Sequence, residues 1–407
     1  MKKLLYIFLG LSLMFACSDD GDNDSNEPCP SQPTLETDSI QAVTEAGTDS
    51  SSATFTGEII NIPIGANCET ISITNQGFVY ATHTQPTIDD IVHNVTGQNI
   101  SFIVSGLNLE TVYYVRTYLT NPLGTFYGNE VFFETPQSEN PVYLDDNGVT
   151  IKARDWAEVG MFGQINEVTY TIIDEETLES LFFGNGLGYD IVSMICTSKI
   201  VDMSDLLMYS NQNFHMNIDI SSWDVSNVTN MRQMFSTSYF NQDISSWDVS
   251  SVTNMGFMFT YNNAFNQDIS SWDVSSVTNM EYMFMDSGMS NGADLNSWDV
   301  SSVTNMKYMF HNNPFYLDIS SWDVSSVTNM EYMFSYSDNF NQDISSWDVS
   351  NVTNMSGMFS RNTVFNQDLS SWSVENVTTC TYFNFQLNQQ ATPWTLPQPN
   401  FTNCNPD

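Results

Sequence analysis

Two columns of aspartate are the residues best placed for chemistry. Asp219, Asp243, Asp268, Asp294, Asp318, Asp343 and Asp368 recur about every 25 residues, and Asp224, Asp248, Asp273, Asp299, Asp323 and Asp348 each follow a tryptophan. If successive copies stack, like charges lie about 5 Å apart, at on the order of 1 kcal/mol per contact even in water. Something must compensate. The carboxylates can accept backbone N–H bonds at turns, hold Ca2+ through Asp243, Asp248, Asp268 and Asp273, or form a strip for a cationic ligand. No calcium loop motif is present, and Ca2+ is the only cofactor that the residue types suggest. Asn230, Asn254, Asn279, Asn305, Asn329 and Asn354 form a third polar column, read as a ladder of side-chain bonds with glycan binding as the alternative.

Other chemistries find no support. His83, His93, His215 and His311 have no ligand spacing, and no nucleophile elbow, phosphate loop, HExxH or Cys-x-x-Cys occurs. Enzymatic activity is not expected. Nine Lys plus Arg against 48 Asp plus Glu give a net charge of -39, which argues against nucleic acid and anionic membrane faces as partners.

The aspartates are carried by a repeat, typified by DISSWDVSSVTNMEYMF at Asp268 to Phe284. Tryptophans 223, 247, 272, 298, 322, 347 and 372 are spaced by 24 to 26 residues; a valine follows each by five, then two methionines and a phenylalanine except in the last copy, where Cys380 takes the methionine column and Asn384 the phenylalanine column. Within a copy, Ile-Ser-Ser-Trp-Asp-Val predicts a short strand. Val-Thr-Asn-Met-x-x-Met-Phe predicts a short helix. Such a unit buries its apolar side only by stacking on its neighbours, with Trp, Val, Met and Phe inside and strands in one parallel sheet. Recognition then falls on what differs between copies: Arg232, Gly256, Phe257, Tyr282, Tyr308, Tyr332 and Tyr316. Of these, Tyr282, Tyr308, Tyr316 and Tyr332 are the leading ligand-binding candidates.

The motif SSWDVSxVTNMxxMF with FNQDI resembles the 26-residue repeats of BspA-like leucine-rich-repeat bacterial surface proteins. The resemblance implies a leucine-rich-repeat-like solenoid over residues 201–379, with one strand and one short helix per coil, displayed on a cell surface and engaged in adhesion. Asn291, Gly292 and Ala293 depart from Phe-Asn-Gln in the fourth copy, and Tyr316 and Leu317 from Asn-Gln in the fifth. Residues 141–200 read as an N-terminal cap containing a degraded coil, Ile195, Ile200, Met203, Leu206 and Leu207, and a helix behind Asp174. Residues 380–407 read as a C-terminal cap, closed by a Cys380–Cys404 disulfide with Trp394 as its apolar plug.

Residues 33–136 alternate apolar and polar residues in short runs, which predicts a small antiparallel β-sandwich. Gly77, Phe78, Val79, Tyr80, Leu107, Leu109, Thr111, Tyr113, Asn121, Gly124, Tyr127, Gly128 and Asn129 resemble the fibronectin type III family, with Tyr113 at the place of its corner tyrosine. That resemblance implies a spacer. A Cys29–Cys68 disulfide is also expected, leaving Cys196 as a buried hydrophobe.

The start of the chain sets the expected address. Lys2 and Lys3 precede the apolar run Leu4 to Phe15, and Met14, Phe15, Ala16 and Cys17 resemble a lipobox, so residues 1–17 read as a lipoprotein signal with Cys17 lipidated. Residues 18–32 form an acidic tether too polar to fold. Its SDDGD run resembles the surface-export signal of Bacteroidota lipoproteins. The expectation is therefore a mainly β protein, lipid-anchored in the outer membrane and surface-exposed, that binds extracellular protein, glycan or cell-surface ligands. The alternative is a structural envelope protein without a specific ligand.

Overall fold

The computed structural model describes residues 32–44, 50–61, 71–183, 189–209, 218–289, 294–314, 316, 318–386 and 394–406. The chain divides into two units, residues 1–138 and 139–407. Among the described residues no helix is long and apolar enough to cross a membrane.

The first unit is antiparallel β. Its strands are β1 (Thr34–Thr37), β2 (Ala42–Thr44), β3 (Ser50–Asn61), β4 (Asn75–Ala81), β5 (Ile91–Asn94), β6 (Asn99–Asn108), β7 (Val112–Asn121), β8 (Gly124–Tyr127) and β9 (Val131–Glu134). One sheet has the order β1-β3-β2 with β6 also on β3; the other runs β5-β4-β7-β8 with β9 also on β7. The period-two pattern sends Phe55 of β3, Phe78 and Tyr80 of β4, Val115 of β7 and Phe133 of β9 into one shared core. Phe55 sits at its centre, edge-on to Phe78, Tyr80 and Phe133 at 5.4 to 5.9 Å, a favoured aromatic arrangement. The Tyr113 hydroxyl accepts the Asn108 N–H at 3.2 Å and ties the β6–β7 turn to the sheet.

The second unit begins with β10 (Val142–Leu144) paired to β11 (Ile151–Ala153), then β12 (Phe162–Ile165) and β13 (Val168–Ile172), with β14 (Ile195–Cys196) parallel to β13. The one α-helix among the described residues, α1 (Glu175–Phe183), starts where Asp174 Oδ1 accepts the Thr177 N–H at 2.9 Å. Its Leu178 and Phe182 join Ile195, Ile200, Met203, Leu206 and Leu207 in the core that continues through the repeats. The Phe182 ring meets Trp223 edge-on at 6.2 Å. Cys196 is buried, and burial pushes its thiol pKa up.

The repeats form coils joined side to side, but not through the elements expected. The predicted strand is replaced by turns: Trp272 N–H donates to Ile269 O and Val277 N–H to Val274 O. The predicted helix is absent because alternate amides leave the coil. Met280, Tyr282, Phe284 and Asp286 donate to Asn305, Lys307, Met309 and His311 of the next coil, at 2.7 to 3.0 Å. Between them Met283 and Met285 close turns on Met280 and Tyr282. Tyr282 and Asp286 therefore take left-handed φ of 57° and 49°, which no α-helix accommodates. The expected parallel sheet shrinks to single bridges that step from Asp202 through Asn230, Asn254, Asn279, Asn305, Asn329 and Asn354 to Thr379. The leucine-rich-repeat coil of one strand and one short helix does not form. The i, i+3 spacing of valine and methionine reflects successive tight turns rather than helical periodicity.

The core columns are filled as their residue types require. Phe235, Phe259, Phe284, Phe310, Phe334 and Phe359 stack face to face at 5.5 to 5.9 Å. Each buried indole N–H reaches a carbonyl of the preceding coil, as Trp272 Nε1 does to Ile244 O and Trp298 Nε1 to Ile269 O, both at 3.1 Å. A buried polar group is thereby satisfied and a coil-to-coil bond added. At the far end Cys380 is disulfide-bonded to Cys404. Trp394 packs edge-on against Phe365 at 4.8 Å and Phe359 at 5.4 Å, and Phe401 against Phe383 at 4.9 Å.

Candidate functional site

The aspartate columns serve the backbone. Asp243, Asp268 and Asp343 accept the N–H of Ser245, Ser270 and Ser345 at 2.9 to 3.0 Å, and Asp248, Asp273 and Asp348 those of Ser250, Ser275 and Ser350 at 3.0 to 3.1 Å. Each pair closes a turn at one end of the coil. The serine hydroxyl and backbone N–H hold the Asp243, Asp268, Asp273, Asp299, Asp343 and Asp348 carboxyls below the ordinary 3.8. A depressed folded pKa contributes stability above the unfolded value and loses it as pH falls through the folded one. The thermal midpoint is accordingly expected to drop from about pH 5 to about pH 3. A midpoint that rises on acidification would show that relief of the -39 net charge outweighs the turn bonds.

Among the described residues no three His, Cys, Asp or Glu side chains converge in a way that could hold a metal. Asp243, Asp248, Asp268 and Asp273 each close their own turn. Calcium or a chelator is therefore expected to leave the unfolding midpoint of the repeats unchanged; a calcium-dependent rise would contradict this placement. The asparagine column is similarly engaged: Asn279 Oδ1 accepts the Glu281 N–H at 3.2 Å, while its Nδ2 donates to Asn254 Oδ1 at 3.1 Å. Of the histidines, His83 pairs with Asp90, His93 stacks on Tyr80 and Phe102, and His311 is half-buried between Tyr308 and Tyr336. His215 lies outside the described residues, as do Cys17, Cys29, Cys68, Phe315, Leu317 and the segment 291–293.

What remains is a column of rings outside the core. Phe257, Tyr282, Tyr308 and Tyr332 occupy the same left-handed position of successive coils. They stack at 4.4, 4.7 and 4.8 Å with interplanar angles of 9°, 5° and 24°. Each of these side chains is half-buried. The Arg232 guanidinium covers the Phe257 end, 4.9 Å from the ring centre. A Lys307–Glu331 ion pair of 2.9 Å flanks the middle. Burial raises the phenol pKa of Tyr282 and Tyr308, keeping both as neutral hydroxyls. Tyr316, 56% exposed, stands apart from this column.

At the other end the column is interrupted by Gly357, φ 61°, and resumes with Tyr382, φ 61°. A cavity of about 330 Å³ opens there, lined by Tyr332, Tyr336, Ser360, Arg361, Tyr382 and Phe385. Sequence reasoning singled out Tyr332 but missed the others. The available signal was the variable position four residues on, which is Thr237, Tyr261, Asp286, Asn312, Tyr336 and Arg361 in successive coils.

A family model described as Mycoplasma protein of unknown function, DUF285, matches residues 176–293 and 286–394. No curated protein matches the chain. The family match corrects the expected assignment, because the repeats read as BspA-like leucine-rich repeats fall in a different family. It does not reach residues 33–136, which carry the fibronectin type III resemblance. The two matches together span more than half of the chain, which therefore belongs to the DUF285 family.

Proposed function

We propose that this protein is a lipid-anchored, surface-exposed and non-enzymatic binding or adhesion protein, presenting its acidic repeat array to extracellular protein, glycan or cell-surface ligands. The observation that carries the reading is the aromatic column Phe257, Tyr282, Tyr308 and Tyr332. The other repeated columns are occupied by scaffold bonds or core packing, whereas these rings lie half-buried at the surface. Stacked aromatics with polar tips are suited to recognition, since they lose little side-chain freedom on binding and join an apolar face to a hydrogen-bonding edge. The lipobox at Cys17 and the acidic tether behind it support the address. The two-sheet first unit serves as a spacer between anchor and array.

Attachment of cells carrying the wild-type chain, a deletion, and the Cys17→Ala variant tests both parts. Adhesion requires that deletion reduce attachment and that Cys17→Ala release the protein from the membrane fraction. Normal attachment after deletion would instead favour a structural role in the envelope. Retention of the Cys17→Ala protein in the membrane would refute the anchor.

A further inference from the structure

The geometry points to a binding slot for a neutral, hydroxyl-rich sugar ring at the interrupted rung of the aromatic column, between Tyr332 and Tyr382. The inference rests on the binding reading above and names its ligand class. Rings succeed one another along the column until Gly357, which contributes no ring of its own. A Cβ built at Gly357 would lie 2.2 to 2.6 Å from ring atoms of Tyr332, so the Tyr332 ring leans over the bare backbone. Tyr382, 47% exposed, closes the far side, with Tyr336, Arg361 and Phe385 around the rim of the 330 Å³ cavity.

The lining selects among ligand charges. Four aromatic rings alone would make a cage for an organic cation. Here the Arg361 guanidinium, 4.8 Å from the Tyr336 ring centre and bonded to its hydroxyl, places a fixed positive charge in the cage. An anion meets the field of a chain with net charge -39. A neutral ring is disfavoured by neither. The C–H face of a pyranose carries the weak positive potential that matches the negative face of a phenol ring. Its edge hydroxyls can bond to the phenol hydroxyls of Tyr332 and Tyr382 and to Arg361. The volume falls at the lower end of the range for small-molecule sites, about 300–1,000 Å³, which suits one ring rather than an extended chain.

Two substitutions test the slot in the full chain. Gly357→Tyr supplies the missing rung; tyrosine already adopts this left-handed turn at 282, 308, 332 and 382, and the obstruction is the movable Tyr332 ring rather than backbone. Tyr382→Ala removes the far wall. The probes are immobilised neutral hexose and N-acetylhexosamine oligosaccharides, with sialylated and sulfated glycans and a Tyr/Trp-rich peptide alongside. The expected result is binding to neutral glycans, weakened about tenfold by either variant and unchanged by Tyr261→Ala at an exposed tyrosine elsewhere in the array. Three results would overturn the proposal: no neutral glycan bound, binding confined to charged glycans or peptide, or equal binding by the variants. Cell attachment that survives in Gly357→Tyr would reject the slot yet retain adhesion, whereas attachment independent of the whole protein would reject both.

Discussion

Replacing Trp298 by alanine is expected to destabilise the repeat array by about 3–5 kcal/mol. The side chain is 3% exposed, its ring lies 6.3 Å from Phe284, and its indole N–H bonds to Ile269 O of the preceding coil at 3.1 Å. Alanine leaves a cavity between two coils and removes the coil-to-coil bond to that carbonyl, which retains the Trp272 N–H of its own coil. Trp298→Phe separates the two effects: most of the volume is kept, so the remaining loss should be about 1 kcal/mol from the missing indole hydrogen bond. Because each coil touches only its neighbours, the damage should concentrate in the coils on either side. Urea unfolding followed by far-UV circular dichroism reads the total. A loss below about 1 kcal/mol for the alanine variant would mean that the indoles do not couple successive coils.

The second large effect belongs to the end of the array. The Cys380–Cys404 bond closes a loop with a sequence separation of 24, for which chain entropy alone gives about 3 kcal/mol. The bond holds in place a segment that caps an aromatic core: Trp394 Nε1 donates to Gln367 O at 2.9 Å, and Leu369 N–H to Pro397 O at 3.0 Å. A Cys380→Ala/Cys404→Ala variant should therefore unfold at a lower midpoint and bind a hydrophobic dye at the exposed Phe359, Phe365 and Phe383 surface. An unchanged midpoint with no dye binding would show that packing of Trp394 and Phe401 suffices.

Much of the packing was legible because it depends on residue type at fixed spacing. Trp, Val, Met and Phe recur where only an interior accepts them, and all of these columns are buried where described. Asp174 announced the start of α1 because a carboxylate at that position satisfies the Thr177 amide. The turn role of the aspartates was legible too, since serine follows by two residues and offers both an amide and a hydroxyl. The secondary structure of the coil was not. Valine and methionine at i and i+3 look alike in a helix and in a run of tight turns, and only the destination of the amides distinguishes them. That destination is the next coil, about 25 residues away in the chain, and local periodicity carries no information about it. The ligand slot was hidden for the same reason. Gly357 reads as an ordinary variable position until the rings on either side of it are seen to form one column.

Amide exchange at the aromatic column tests the account most directly. Phe257, Tyr282, Tyr308 and Tyr332 carry half-exposed side chains, yet their N–H groups donate to Glu281, Lys307, Glu331 and Ser356 of the following coil at 2.7 to 2.8 Å. Stacked coils predict that these four amides exchange as slowly as those of buried Met280 and Phe284, while the Glu281, Lys307 and Glu331 amides, bonded only to asparagine side chains at 3.1 to 3.2 Å, exchange faster. Rapid exchange at Phe257, Tyr282, Tyr308 and Tyr332 would contradict the coil-to-coil ladder, and with it the aromatic column on which the proposed function stands.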